Sequence, residues 1–178
     1  MNVFSSGFPK SGTHALAKAI ELLGQPTIAG EHRTYAEGVP ADVTHHVFIK
    51  RDPRNIVLSW LRSNREPVTP GMVMSRIQRF DQHSLVEEMR PYEGWLVVGQ
   101  TLPTHVVRYE DLIADDKALR GIAEFLGVPY IEDAWEQLEG HTITYFPEHS
   151  DYRKVWNEAV AKRWTTSGGD ALLRRWGY

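Results

Sequence analysis

The sequence contains no cysteine. Disulfides, thiolate metal sites and cysteine nucleophiles are therefore excluded. Long apolar runs are missing too: stretches such as Trp95–Val98 are only a few residues, against the roughly 20 needed to cross a bilayer. The amino terminus lacks the basic and then apolar segments of a secretory signal, so the expected setting is cytoplasmic, with no membrane partner. Positive charge is not in excess. Lys and Arg total 20 against 23 Asp and Glu, a net −3, so nucleic acid is not an expected partner and a highly charged ligand must be met by local clusters. No repeat and no H-E-x-x-H pattern occurs. His45 and His46 are neighbours entering a strand, so their side chains face opposite ways and cannot share a metal. No metal site is expected.

What is present suits an ordinary globule. The chain has 178 residues, 42% apolar and 24% charged, enough for one domain with a real core and short for two. The expectation is a single domain over 1–178. Asn2–Ser6 reads as a strand, and Thr13–Leu23 as a helix with a stripe of Leu16, Ala19, Ile20 and Leu23, closed by Gly24. His46–Lys50 is a buried strand carrying Val47, Phe48 and Ile49 in an unbroken run. Asp52-Pro53 is an N-cap with proline at the first helical position, opening a helix to about Ser63. Further helices are expected after Pro70 and over Leu85–Val98, Asp115–Leu126, Ala134–Leu138, Lys154–Trp164 and Asp170–Trp176, with a strand at Thr104–Tyr109. Strands alternating with amphipathic helices imply right-handed crossovers. The expected class is α/β: a single-domain, three-layer fold of P-loop NTPase type around a central, mainly parallel sheet. Such sheets bind ligands beyond the carboxyl ends of their strands, where the stretches of chemical interest fall.

The first stretch is Ser6-Gly7-Phe8-Pro9-Lys10-Ser11-Gly12-Thr13, between a strand and a helix. Gly7 and Gly12 permit a tight turn with amides aimed at an anion on the helix N-terminus. Lys10 adds a full charge; Ser11 and Thr13 add hydroxyls. Gly7 and Gly12 have the spacing of a Walker loop, but Thr13 stands where its lysine belongs. No acidic residue closes an apolar strand to hold magnesium, so the loop reads as a phosphate site without a metal. The plainer alternative is a Gly/Ser turn with an exposed lysine.

The second stretch, Lys50-Arg51-Asp52-Pro53-Arg54-Asn55, comes at the next strand end, where arginine can grip a phosphate bidentately. Ser59 lies two helical turns beyond Asp52, on the same face. A capped helix with solvated basic residues is the alternative.

Together these stretches resemble the sulfotransferases that use 3′-phosphoadenosine-5′-phosphosulfate (PAPS) and release 3′,5′-adenosine bisphosphate (PAP). Pro9-Lys10-Ser11-Gly12-Thr13 is similar to their loop for the 5′-phosphosulfate, and Arg51 with Ser59, eight apart, to their 3′-phosphate motif. Val107–Leu112 and Ile122–Gly127 resemble the family's later strand and helix. The resemblance implies that Tyr109 contacts the adenine. Two features depart from it. Ala15, after His14, stands where a tryptophan often stacks on adenine, and Arg153-Lys154 runs into Val155 where a glycine is usual. Arg153 and Lys154 are the counterparts of a 3′-phosphate clamp, and His14 is a further candidate donor contact.

The function implied is transfer of a sulfuryl group from PAPS to a hydroxyl or amine of a small-molecule or glycan acceptor. Lys10 and the loop amides would stabilise the leaving oxygen, and Arg51 and Ser59 would orient the donor. For the base, Gly30-Glu31-His32-Arg33 reads as a loop offering two candidates. An imidazole has an ordinary pKa of about 6.5, suited to neutral pH, so His32 is preferred to Glu31. A nucleotide kinase or NTPase with a divergent loop is the competing enzyme class, and an inactive nucleotide-binding module the non-enzymatic one.

Overall fold

The structure is a computed structural model that describes residues 1–97, 102–139 and 151–178, leaving aside the side chains of 29–31. Four strands run in chain order as β1 (Val3–Gly7), β2 (Thr27–Glu31), β3 (His45–Lys50) and β4 (Thr104–Arg108). The helices are α1 (Thr13–Leu22), α2 (Pro53–Ser63), α3 (Pro70–Gln78), α4 (Leu85–Met89), α5 (Tyr109–Leu112), α6 (Lys117–Leu126), α7 (Ala134–Glu139), α8 (Glu158–Thr166) and α9 (Gly169–Trp176). By packing the chain divides into two compact units, Met1–Arg51 with Gly94–Tyr145, and Asp52–Glu93 with Phe146–Tyr178.

The first unit holds an all-parallel sheet in the order β2-β1-β3-β4. It is the α/β architecture expected from the alternating elements. Alternate residues of the strands face opposite sides. Val3, Val47, Ile49 and Val107 join Leu16 and Ile20 of α1, Leu119 and Ile122 of α6, and Leu138 of α7 in one core cluster. Each such aliphatic side chain contributes about 1.5–3 kcal/mol on burial. The other face of the sheet carries Phe4, Ser6, His46 and Phe48, all fully buried. Gly127 closes α6 in the left-handed region at φ 66°, the cap its position suggests.

Two corrections concern this unit. Thr27–Glu31 is a strand paired to β1, not part of a loop; it is short and contains Gly30, so only its pairing reveals it. Tyr109 opens α5 rather than ending the strand before it.

In the second unit α2 begins as its sequence indicates, with Asp52 accepting from the Arg54 amide at 2.9 Å and Pro53 next in line. Thr69 and Pro70 open α3 in the same way. Val73 and Ile77 of α3 are buried, as are Val160 and Trp164 of α8 and Leu172 and Trp176 of α9. The helix expected over Leu85–Val98 stops at Met89 and tightens into a 3₁₀ turn over Arg90–Leu96, because Pro91 has no amide to give. Val98 lies outside the described residues. Lys154 likewise sits in a 3₁₀ turn, Tyr152–Lys154, and α8 starts only after Asn157 caps the Val160 amide. No helix among the described residues is long and apolar enough to cross a membrane.

Candidate functional site

All strands of the first unit end at one edge. Gly7 pairs with Ile49, Lys50 with Arg108, and Ser6 with Glu31, so the residues that follow, Phe8–Gly12, His32, Arg51 and Tyr109, gather there. Phe8 is buried and anchors the loop, and its carbonyl accepts from the Ser11 amide at 3.0 Å. Lys10 adopts φ 68°, a left-handed conformation that a side chain with a Cβ rarely takes. Strain of this kind is held only where the surroundings over-determine it. Gly12 follows at φ 105° and opens α1 without a side-chain cap and with no acidic residue in the first turn. The α1 N-terminus therefore keeps its positive end and its amides for an anion. Ser11 is fully buried and its hydroxyl has no hydrogen-bond partner among the described residues. Pro9 is half-buried in the loop, Thr13 is buried at its end, and His14 is exposed on the first turn of α1.

Arg51 reaches this loop from β3. Its guanidinium donates to the Lys10 carbonyl at 3.2 Å and lies 4.2 Å over the centre of the Tyr109 ring. Arg51 is 6% exposed and Tyr109 3%. Gly12 packs so closely on that ring that a Cβ there would overlap it. Lys10, Gly12, Arg51 and Tyr109 thus form one cluster built from β1, β3 and β4.

His32 joins the cluster from β2. Its Nδ1 lies 2.9 Å from the Gly7 carbonyl oxygen. A carbonyl only accepts, so Nδ1 is the donor of this pair. The next residues are held by Trp95, whose indole N–H donates to the Arg33 carbonyl at 3.1 Å and whose ring meets Tyr35 edge-on at 5.0 Å. Nothing local in the sequence marks this contact of Trp95, which crosses 62 positions. The Glu31 side chain lies outside the described residues.

No family model matches the chain, and no curated protein matches it. Among solved structures it is similar to mouse sulfotransferase SULT7A1 complexed with PAP, with a TM-score of 0.69 at 15% identity, covering 95% of this chain and 82% of that one. The fold is a sulfotransferase fold. Its site residues rest on the geometry above, because at that identity the likeness is one of backbone.

Within this sulfotransferase fold the remaining candidates belong to the second unit. Ser59 is half-buried on α2. Arg153 and Lys154 are exposed, with Arg153 Nε 3.8 Å from an Asp151 carboxylate oxygen. Their turn is tied to the start of α2: the Tyr152 amide donates to Asn55 Oδ1 at 3.0 Å, and Arg54 stacks 4.0 Å over the Tyr152 ring. Asn55 stood in the motif without a role; here it anchors that turn.

In the sheet of the first unit, His46 is wholly buried, and burial pushes its pKa down to about 4. Lys50 at the edge is also held below the usual lysine range, first by burial and then by the Arg108 guanidinium, with Asp111 and Glu110 acting in the opposite sense.

Proposed function

We propose that the protein transfers a sulfuryl group from PAPS to an acceptor hydroxyl or amine. One observation carries the reading: the Arg51 guanidinium donates to the Lys10 carbonyl, so cations from two strand ends meet on one phosphate-type loop. The loop suits the donor chemically. The buried Ser11 hydroxyl and the uncapped α1 terminus are donors in want of an anion, and Lys10 Nζ has no ion-pair partner among the described residues.

In this reading the loop amides, Ser11 and Thr13 hold the 5′-phosphosulfate, flanked by Pro9 and His14. Lys10 neutralises the charge that grows on the departing phosphate oxygen. Arg51 grips the 3′-phosphate and Tyr109 lies beside the adenosine, turning binding energy into orientation. As the bond from sulfur to that phosphate oxygen breaks, a bond from sulfur to the acceptor oxygen or nitrogen forms. The acceptor's proton passes to His32 Nε2, and the leaving PAP keeps the electron pair. Ser59, Arg153 and Lys154 have the support of sequence resemblance alone.

Isothermal titration with PAP and with ATP, each with and without EDTA, tests the donor. PAP is expected to bind equally well in both buffers; tight, magnesium-dependent binding of ATP alone would instead favour a kinase. A radiolabelled sulfate transfer assay over alcohols, phenols, amines and sugars tests turnover. Silence with normal PAP binding would favour an inactive module. His32→Ala should abolish transfer and leave PAP binding intact; unchanged transfer would move the base to Glu31.

A further inference from the structure

Among the core residues of the sheet, His46 is the costly choice. It is the second residue of β3, with its ring stacked on Phe4 at 5.4 Å and meeting Trp95 at 4.4 Å and Phe48 at 6.1 Å. A fully buried polar ring surrounded by apolar rings destabilises a core unless its nitrogens are bonded. Both are. Nε2 lies 2.7 Å from the Ser6 hydroxyl, and Nδ1 lies 3.3 Å from the Thr104 hydroxyl. Among the described residues, Phe4 and Ser6 on β1, Phe48 on β3, Thr104 on β4 and Trp95 meet the ring, and none of these is charged. The ring therefore stays neutral, with one nitrogen donating and the other accepting.

Two lines run from this ring to the candidate base. Ser6 immediately precedes Gly7, whose carbonyl receives the Nδ1–H of His32. Trp95, whose ring meets the imidazole at 4.4 Å, donates to the carbonyl of Arg33, the residue after His32. The imidazole thus adjoins a partner in each of two hydrogen bonds that hold the His32-Arg33 segment. We infer that His46 is a positioning residue: through Ser6 and Trp95 it sets the orientation of His32 against the phosphate loop. The kinetic part of this inference rests on the proposed sulfuryl transfer; the structural part does not.

Ser6→Ala removes one line with the least loss of volume. Turnover is expected to fall roughly tenfold or more, the scale of a small misplacement of a catalytic group, while PAP affinity changes little. His46→Leu should do the same, and His46→Gln, which can still donate and accept, should recover most of the activity. Ile122→Val on α6, a matched loss of core packing, should leave kcat unchanged. Long-range proton–nitrogen spectra give a readout that needs no turnover. Wild type should show the Nδ1-protonated tautomer of His32, and Ser6→Ala or His46→Leu, whichever folds better, should shift it toward a mixture of tautomers, whereas His46→Gln should keep the wild-type pattern. If Ser6→Ala and His46→Leu keep the wild-type kcat and the His32 tautomer while only the melting temperature drops, His46 is a core residue and the inference is overturned. If wild type binds PAP but transfers nothing, the proposed function fails, and the tautomer spectra still decide the positioning role.

Discussion

The guanidinium of Arg51 donates to the main-chain carbonyl of Lys10 across 3.2 Å, so the end of β3 grips the loop at its charged residue. A hydrogen bond from a charged donor is worth about 1.5–3 kcal/mol, and 1.4 kcal/mol is a factor of ten in affinity. Arg51→Ala is therefore expected to weaken PAP binding roughly ten- to hundredfold and to lower the melting temperature. Arg51→Lys should recover only part of this, because an ammonium lacks the flat fork that both stacks on Tyr109 and donates sideways. Titration calorimetry gives the answer, and an unchanged dissociation constant would remove Arg51 from the donor site.

Gly12 and Gly24 both have positive φ, at 105° and 74°, yet they stand in different surroundings. At Gly12 a Cβ would press on the Tyr109 ring, whereas at Gly24 nothing lies within 4 Å. Gly24→Ala should cost about 1–2 kcal/mol, the backbone penalty alone. Gly12→Ala should cost clearly more and weaken PAP binding as well. Urea unfolding of the pair is the measurement; equal costs would mean that the Gly12–Tyr109 packing is not as described.

Lys10 combines function with strain at φ 68°. Asparagine tolerates this conformation better than most residues and leaves the carbonyl that Arg51 uses. Lys10→Asn should therefore fold at least as stably as wild type, yet lose turnover by roughly a hundredfold or more, as when a single transition-state donor is removed. A variant both stable and fully active would clear Lys10 of any catalytic role.

His46 makes a prediction about acid. Its pKa is about 4 when folded and 6.5 when not, so the unfolded chain binds the proton first. Stability from this group is complete above pH 6.5, declines as pH falls below that value, and is lost by about pH 4. The loss is roughly 3 kcal/mol at 1.36 kcal/mol per pKa unit. His46→Gln should flatten the fall in melting temperature across this window. Some slope should remain from His105, whose pKa burial also lowers. A variant with the full wild-type slope would show that His46 is not the buried titrating group.

The loop and the Arg51 motif were legible because their signals are local. Glycines at a strand-to-helix turn, an Asp-Pro cap and a cation beside them act within a few residues. What was missed depends on partners far along the chain. Thr27–Glu31 is a strand because β1 lies beside it, and that pairing turns Glu31 from a loop residue into a strand end. The helix drawn from Leu85 to Val98 ran through Pro91, whose missing amide outweighed the apolar pattern. Trp95 and His46 carry no local signal of a role, and their contacts to the His32 segment cross 62 and 40 positions of sequence respectively, the second by way of Ser6.

By itself, then, the sequence determined which groups could meet an anion and where helices begin, since caps, glycines and charged side chains act on their immediate neighbours. Only the tertiary structure decided that Lys10 and Arg51, 41 positions apart, touch, and that His32 donates to Gly7. The strand order β2-β1-β3-β4 brings those chain segments to one edge. That order is settled by how the strands pack together, which no short stretch of residues encodes.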